Sequence, residues 1–218
     1  MKDQVLSNGT LLKDACACIS KIDSGIGILH REFGIPSLRP NASYYHSLVR
    51  SIVFQQLNGK AAQTILDRFL KLFPGEDFPC PESLSKSDIS LLRTAGLSQR
   101  KSEYVKGIAR AFSNSGFLPD DVDQWTDGQV SEKLTSIRGV GQWTADMFMI
   151  FTLLRPDILP LSDLGIQKGM QVFFKLPKLP KPDEMSTLTE HWRPYRSIGS
   201  WYMWRIVDEN WSWFNSND

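Results

Sequence analysis

Two stretches of the sequence carry residues that could do chemistry. The first is Leu134-Thr135-Ser136-Ile137-Arg138-Gly139-Val140-Gly141-Gln142-Trp143-Thr144-Ala145. A helical pattern ends at Ile137, a Gly-Val-Gly turn follows, and a second helical pattern begins at once. Glycines can take positive φ and leave no side chain over the turn. The amides of Gly139, Val140, Gly141 and the residues after them therefore point outward at a helix N-terminus. Such a cradle binds anions through neutral backbone groups, and a phosphate is its natural occupant. Leu134, Ile137 and Val140 would pack the two helices together. A bare Gly-x-Gly also fits an ordinary helix connection; the flanking Leu-x-x-Ile and Trp-Thr-Ala favour the anion cradle. The second stretch is Leu159-Pro160-Leu161-Ser162-Asp163-Leu164-Gly165. Ser162 reads as an N-cap, which puts Asp163 in the first turn of a helix over 163–174. The helix dipole and free amides there favour an ionised carboxylate. Taken alone, the pattern also fits a plain helix-start acid.

The elements that must position these residues are helical. Apolar spacing predicts helices over 44–54, 60–73, 99–112, 126–137, 141–154, 163–174 and 195–208, with a short one from Ser85 or Ser87 to Leu92. Asn58-Gly59 reads as a turn and N-cap, and Pro194 as an N1 residue. The three-proline stretch 176–182 reads as a loop. No strand alternation stands out. The expected architecture is all-α, with two helical lobes and a cleft between them. One lobe joins 1–45 to 156–218; the other, 46–155, carries the 134–145 hairpin.

Charge and cysteine usage bound the function. Lys and Arg number 25 against 24 Asp and Glu, a net charge of +1, which argues against a polycationic grip on nucleic acid. The balance is uneven, however: Arg93, Arg100, Lys101, Lys106 and Arg110 face only Glu103 across that segment. Three cysteines, Cys16, Cys18 and Cys80, suit free thiols in a reducing compartment rather than a disulfide framework, and their spacing suits no metal. His30, His46 and His191 show no ligand spacing. No export signal or membrane span is evident.

The hairpin, followed at this interval by an Asp that opens a helix, resembles the helix-hairpin-helix DNA glycosylases of base-excision repair, most closely the 3-methyladenine DNA glycosylases of the AlkA and yeast MAG type. The likeness runs in order over roughly 40–210. It includes Ser51-Ile52-Val53-Phe54-Gln55-Gln56-Leu57-Asn58-Gly59-Lys60, which is similar to the family's minor-groove segment. It includes Leu92-Arg93-Thr94-Ala95-Gly96-Leu97-Ser98-Gln99-Arg100-Lys101, similar to its next loop and helix start. It closes on Trp192-Arg193-Pro194-Tyr195-Arg196-Ser197 and Trp201-Tyr202-Met203-Trp204.

The resemblance implies hydrolysis of the bond between an alkylated base and deoxyribose in double-stranded DNA. Asp163 matches the catalytic acid. Trp143, Met147 and Trp204 match base-pocket positions, where aromatic faces suit a cationic base, although core packing is the other reading of these tryptophans. Leu57 matches the wedge that fills the gap left by a flipped base, and a buried helix-end leucine is its alternative. Gln56, Asn58, Gly96, Arg100, Lys101, Gly139, Val140, Gly141 and Thr144 match DNA-binding positions. Arg193 and Arg196 either orient the last helix or meet phosphate. Carbonyls of Thr135, Ile137 and Val140 match positions that hold a monovalent cation, Na+ or K+.

Trp143 stands where lyase relatives carry a nucleophilic lysine, which implies base removal without strand cleavage. No cysteine follows Cys80, which implies no iron–sulfur cluster; no other cofactor is expected. The expected protein is a monomer, nuclear in a eukaryote or cytoplasmic in a bacterium. Four residues depart from the family pattern: Ser162 replaces a second acid, Met147 an aromatic, Phe54 a small residue and Asn58 a serine. They keep a second reading open, a homologue that binds abasic or distorted DNA and excises little. A third, an unrelated helical interaction domain, lacks the motifs' support.

Overall fold

Apolar residues at helical spacing dictate most of the elements, and side-chain caps open several of them. In the computed structural model, which describes residues 9–38, 43–56, 59–113, 117–118 and 122–212, the helices are α1 (Gly9–Ile22), α2 (Ser24–Phe33), α3 (Tyr44–Phe54), α4 (Gly59–Leu70), α5 (Pro81–Lys86), α6 (Ile89–Thr94), α7 (Gln99–Ser113), α8 (Asp127–Thr135), α9 (Gln142–Phe151), α10 (Leu164–Phe173), α11 (Pro182–Leu188) and α12 (Arg196–Asp208). No strand occurs among the described residues. Leu57 and Asn58 lie outside them.

The chain forms two compact units, one of Met1–Pro40 with Met149–Asp218 and one of Asn41–Phe148. The boundaries at 40/41 and 148/149 fall earlier than the expected 45/46 and 155/156. The second lies inside α9; beyond it Phe151 stacks on Trp204 and Leu154 joins the core of the chain-end unit.

The unit built from the two chain ends encloses a core that includes Ile19, Ile26, Leu29, Ile166, Met170, Trp192, Tyr202, Met203 and Ile206. Here α10 packs on α12, α12 on α2, and α1 on α2. The α10–α12 approach is close enough that a Cβ on Gly169 would lie 2.2 Å from the Met203 carbonyl oxygen. Only glycine fits there. Residues 1–40, in which the sequence showed no chemical motif, supply α1 and α2 to this core.

In the central unit α7 is the hub, packed against α3, α5 and α6. Helix α3 starts at the Ser43 cap, whose hydroxyl accepts the His46 amide at 3.3 Å. It buries Tyr45, Leu48, Val49, Ile52 and Val53, an i, i+3, i+4, i+7, i+8 stripe. Helix α8 begins with a capping box between Thr126 and Gln129.

Several expected elements differ. The helix expected up to Leu92 is two, α5 and α6: extended backbone at Ser87 ends the first and Asp88 starts the second. Part of the 176–182 loop leads directly into α11, which has Pro182 in its first turn. Pro194 is not N1. Tyr195 stands before the first residue of α12, Arg196. Ser162 is not the cap of α10; Asp163 is, so Asp163 precedes the helix rather than lying in its first turn.

Candidate active site and DNA interface

The hairpin is built as its glycines require. After α8 the chain tightens through Ile137 N–H to the Leu134 carbonyl at 3.1 Å and Val140 N–H to the Ile137 carbonyl at 3.0 Å. Gly139 has φ +98, and a Cβ there would lie 2.2 Å from the Tyr104 ring. Positive φ and a ring against its Cα both demand glycine. The turn delivers the chain to the start of α9, leaving the first amides of that helix unsatisfied within it. Gly141 is exposed and Gly139 half-buried, whereas Val140 is buried. A chain of polar side chains braces the two hairpin helices: Ser131 Oγ donates to Gln142 Oε1 at 3.0 Å, and Gln142 Nε2 donates to Asp146 Oδ1 at 2.7 Å. Asp146 is buried. Burial pushes its carboxyl up to about 6, against the lowering effect of the Gln142 hydrogen bond.

Beside the hairpin in the same unit lies the end of α3. Gln55 terminates this helix and Gln56 follows with φ +57, a left-handed conformation uncommon for a residue with a side chain. Gln55 Nε2 donates to Thr144 Oγ1 at 3.1 Å, and Thr144 is buried. Lys101, in the first turn of α7, donates to the carbonyls of Val53 and Gln55 at 2.8 and 2.7 Å. Burial lowers its pKa. Lys106 likewise donates to the Ser87 carbonyl. Of the five basic residues in this segment, Arg93, Arg100 and Arg110 are the exposed ones. Gly96, also exposed, has φ +102.

Asp163 belongs to the unit of the chain ends. Its Oδ1 accepts the Ile166 amide at 2.9 Å and the Trp204 indole N–H at 3.0 Å, and the residue is 9% exposed. Gly165 makes room for this pair: a Cβ there would come within 3.0 Å of both Asp163 Oδ1 and Trp204 Cδ1. The other face of Trp204 concerns Phe151, whose ring stacks on the indole with centroids 5.6 Å apart. Phe151 remains 40% exposed. Sequence reading missed it, although it follows Trp143 and Met147 at four-residue intervals. Trp143 is exposed and Met147 half-buried, both on α9 in the central unit.

The segment leading to Asp163 is stitched to the start of α12. Ser197 Oγ donates to the Arg155 carbonyl at 2.6 Å and accepts the Ile158 amide at 2.9 Å. Arg196 chelates Asp157 through Nε at 2.7 Å and Nη2 at 3.0 Å, and Arg193 pairs with the same carboxylate and with Glu190. Both arginines thus anchor the last helix. Among the described residues no cluster of His, Cys, Asp and Glu could hold a metal ion. His191 contacts Asp23, His30 contacts Ser20, and His46 stacks on Phe78.

The chain thus carries a buried carboxylate held by an indole and a Gly-Val-Gly turn between two helices. The sequence profile described as "HhH-GPD superfamily base excision DNA repair protein" matches residues 49–194. The chain belongs to this superfamily. Among HhH-GPD relatives, it is 35% identical to DNA-3-methyladenine glycosylase 1 of Schizosaccharomyces pombe over 78% of each chain. It is 31% identical to the alkylbase DNA glycosidase-like protein mag2 of the same yeast, over 86% of this chain and 90% of mag2. The structure of S. pombe 3-methyladenine DNA glycosylase in complex with abasic DNA superposes with a TM-score of 0.77, at 33% identity, over 89% of this chain and 97% of that one. A DNA-3-methyladenine glycosidase from Bacillus halodurans gives the same TM-score at 32% identity, over 95% and 93%.

Proposed function

We propose that this HhH-GPD protein is a monofunctional DNA glycosylase. It hydrolyses the N-glycosidic bond of alkylated bases such as 3-methyladenine and 7-methylguanine and leaves an abasic site. The observation that carries the reading is Asp163, a buried helix-capping carboxylate fixed by the Trp204 indole N–H. As a cationic base departs with the bonding electrons, positive charge develops on the sugar at C1′. The Asp163 carboxylate stabilises that charge and directs the water whose oxygen bonds to C1′ and whose proton is released. Because the indole and the Ile166 amide both hold Oδ1, the carboxylate is oriented before substrate arrives.

Trp143, Met147 and Trp204 are the proposed base contacts, with Phe151 added through its stacking on Trp204. Gly139, Val140 and Gly141 present the phosphate seat. Gln56, Leu57, Asn58, Gly96 and Arg100 approach the lesion and its flanks, with Leu57 as the wedge. Trp143 in place of a lysine supports hydrolysis without strand cleavage. No cofactor enters the chemistry. A structural Na+ or K+ suits the carbonyls of Thr135, Ile137 and Val140, which are hard donors. The Ile137 carbonyl accepts the Val140 amide and keeps a second lone pair. Action on nuclear DNA in a eukaryote, or cytoplasmic DNA in a bacterium, follows from the role.

The test is release of 3-methyladenine and 7-methylguanine from alkylated duplex by the wild type and by Asp163→Asn. Release that is lost in the variant supports the assignment, and equal release would sink it. No release by the wild type, with retained preference for abasic duplex, would favour the binding-only reading. Binding should weaken with salt by a log–log slope of a few times −0.9, since few phosphates are neutralised.

A further inference from the structure

Lys101 and Thr144 match DNA-binding positions in sequence, yet their side chains are committed elsewhere. Lys101 Nζ bridges the carbonyls of Val53 and Gln55, at 2.8 and 2.7 Å. Thr144, 2% exposed, accepts at its hydroxyl oxygen the hydrogen bond that Gln55 Nε2 donates at 3.1 Å. Both therefore converge on one residue, Gln55, one through its backbone and one through its side chain. Gln55 ends α3, where carbonyls lack intrahelical partners. The next residue, Gln56, is held in a left-handed conformation that costs energy unless its surroundings impose it.

We propose that Lys101 and Thr144 are positioning residues: together they clamp Gln55 and so fix the direction in which the lesion-probing segment leaves α3. Lys101 supplies the charge-assisted half of the clamp, compensating the C-terminal carbonyls of α3 as a cation should. Thr144 supplies the half that ties the segment to α9, so the probe is registered against the same helix that opens at the phosphate seat. Neither side chain neutralises a phosphate. A loose clamp leaves general DNA affinity in place and blurs the distinction between a lesion and intact duplex.

This inference rests on the proposed lesion-directed DNA binding, and the experiment separates the two. Affinities for abasic and intact duplexes of one sequence are measured across a salt series for wild type, Lys101→Met and Thr144→Val, with thermal melts as a folding control. A wild type with no abasic preference overturns the functional reading itself. With that preference present, Lys101→Met is expected to reduce the abasic-to-intact affinity ratio by about tenfold, the worth of charge-assisted hydrogen bonds. Its salt slope should remain that of the wild type. Thr144→Val, nearly isosteric, is expected to reduce the ratio by about fivefold, one neutral hydrogen bond, and it carries the test alone should Lys101→Met fail to fold. Equal weakening on both duplexes, with a slope shallower by about 0.9, would make Lys101 a phosphate contact and overturn the proposal. An unchanged ratio in the folded variants would overturn it as well.

Discussion

The same local construction occurs twice in the unit formed by the chain ends, and only one copy carries the proposed chemistry. Asp23 caps α2 and Asp163 caps α10; each accepts a backbone amide one turn into its helix and the indole N–H of a distant tryptophan. The difference lies in how the carboxylate is used. In Asp23 the two oxygens divide the work: Oδ1 takes the Gly25 and Ile26 amides, and Oδ2 takes Trp192 Nε1 at 2.8 Å and His191 Nε2 at 2.9 Å. Trp192 is fully buried, and the rings of Phe173 and Phe174 pack on it. In Asp163 the Ile166 amide and the indole both end on Oδ1, and Trp204 is partly open, covered by an exposed Phe151. An Asp–Trp cap saturated on both oxygens holds a fold together. One whose indole is partly open and stacked on the exposed Phe151 ring is placed, under the proposed function, to meet a substrate.

The sharpest way to break this comparison is to neutralise Asp163 while keeping its shape, and to truncate Asp23. Asp163→Asn should retain the cap, since Asn caps as well as Asp, and so keep its Tm. Excision should fall by about a hundredfold or more, as when a preorganised electrostatic group is removed. Asp23→Ala should do the reverse. It removes a cap and leaves the Trp192 N–H buried without its acceptor, costing about 3 kcal/mol. That corresponds to a drop of roughly 6–12 °C in Tm for a chain of this size, with the excision rate per folded molecule unchanged. The cost has a pH signature. Burial pushes the Asp23 carboxyl up, but the Trp192, His191 and Ile26 hydrogen bonds outweigh it and hold the pKa below 3.8. A depressed acid stabilises above its unfolded pKa and loses that contribution as pH falls through the folded value. The stability gap between wild type and Asp23→Ala should therefore narrow in acid. A gap that widened there would refute the assignment.

Asp146 is the opposite kind of buried acid and sharpens the contrast. Its carboxyl is raised to about 6, so the folded state holds a proton that the unfolded chain has released. Stability then falls as pH rises from about 3.8 through 6, and the full penalty persists above that. Asp146→Asn keeps an acceptor for Gln142 and removes the penalty. It should stabilise the protein by about 3 kcal/mol at pH 8, and the gain should vanish as the melt is moved toward pH 4. A gain independent of pH would mean that packing, not charge, is responsible.

The parts of this design that are local in the chain were legible in the sequence. The hairpin turn was, because Gly139 needs positive φ and Leu134, Ile137 and Val140 spell out the contact that closes it. So was α3, whose apolar stripe fixes its buried face. Asp163 was legible as an acid at a helix start but not as the cap, because Ser162 and Asp163 are equally good capping residues. What selects Asp163 is an indole 41 residues away. Lys101 is a related case. A lysine among arginines reads as an outward charge, and only the tertiary packing of α7 on α3 turns it onto two carbonyls. Phe151 carries no such signal in the sequence, since its exposure depends on which face of α9 the fold leaves open.

The smallest predicted effect tests the comparison most directly. If the indole orients Asp163 and only braces Asp23, the same substitution at the two tryptophans should separate rate from stability. Trp204→Phe keeps an aromatic ring to stack on Phe151 and deletes the N–H on Oδ1. The carboxylate keeps the Ile166 amide, so excision should slow by only about fivefold, the worth of one hydrogen bond, with little change in Tm. Trp192→Phe deletes the equivalent N–H on Asp23 and should lower Tm by a few degrees while leaving the rate alone. A Trp204→Phe rate as low as that of Asp163→Asn would show that the indole holds the carboxylate almost by itself. An unchanged rate would show that the Ile166 amide suffices and that Trp204 is there for its face.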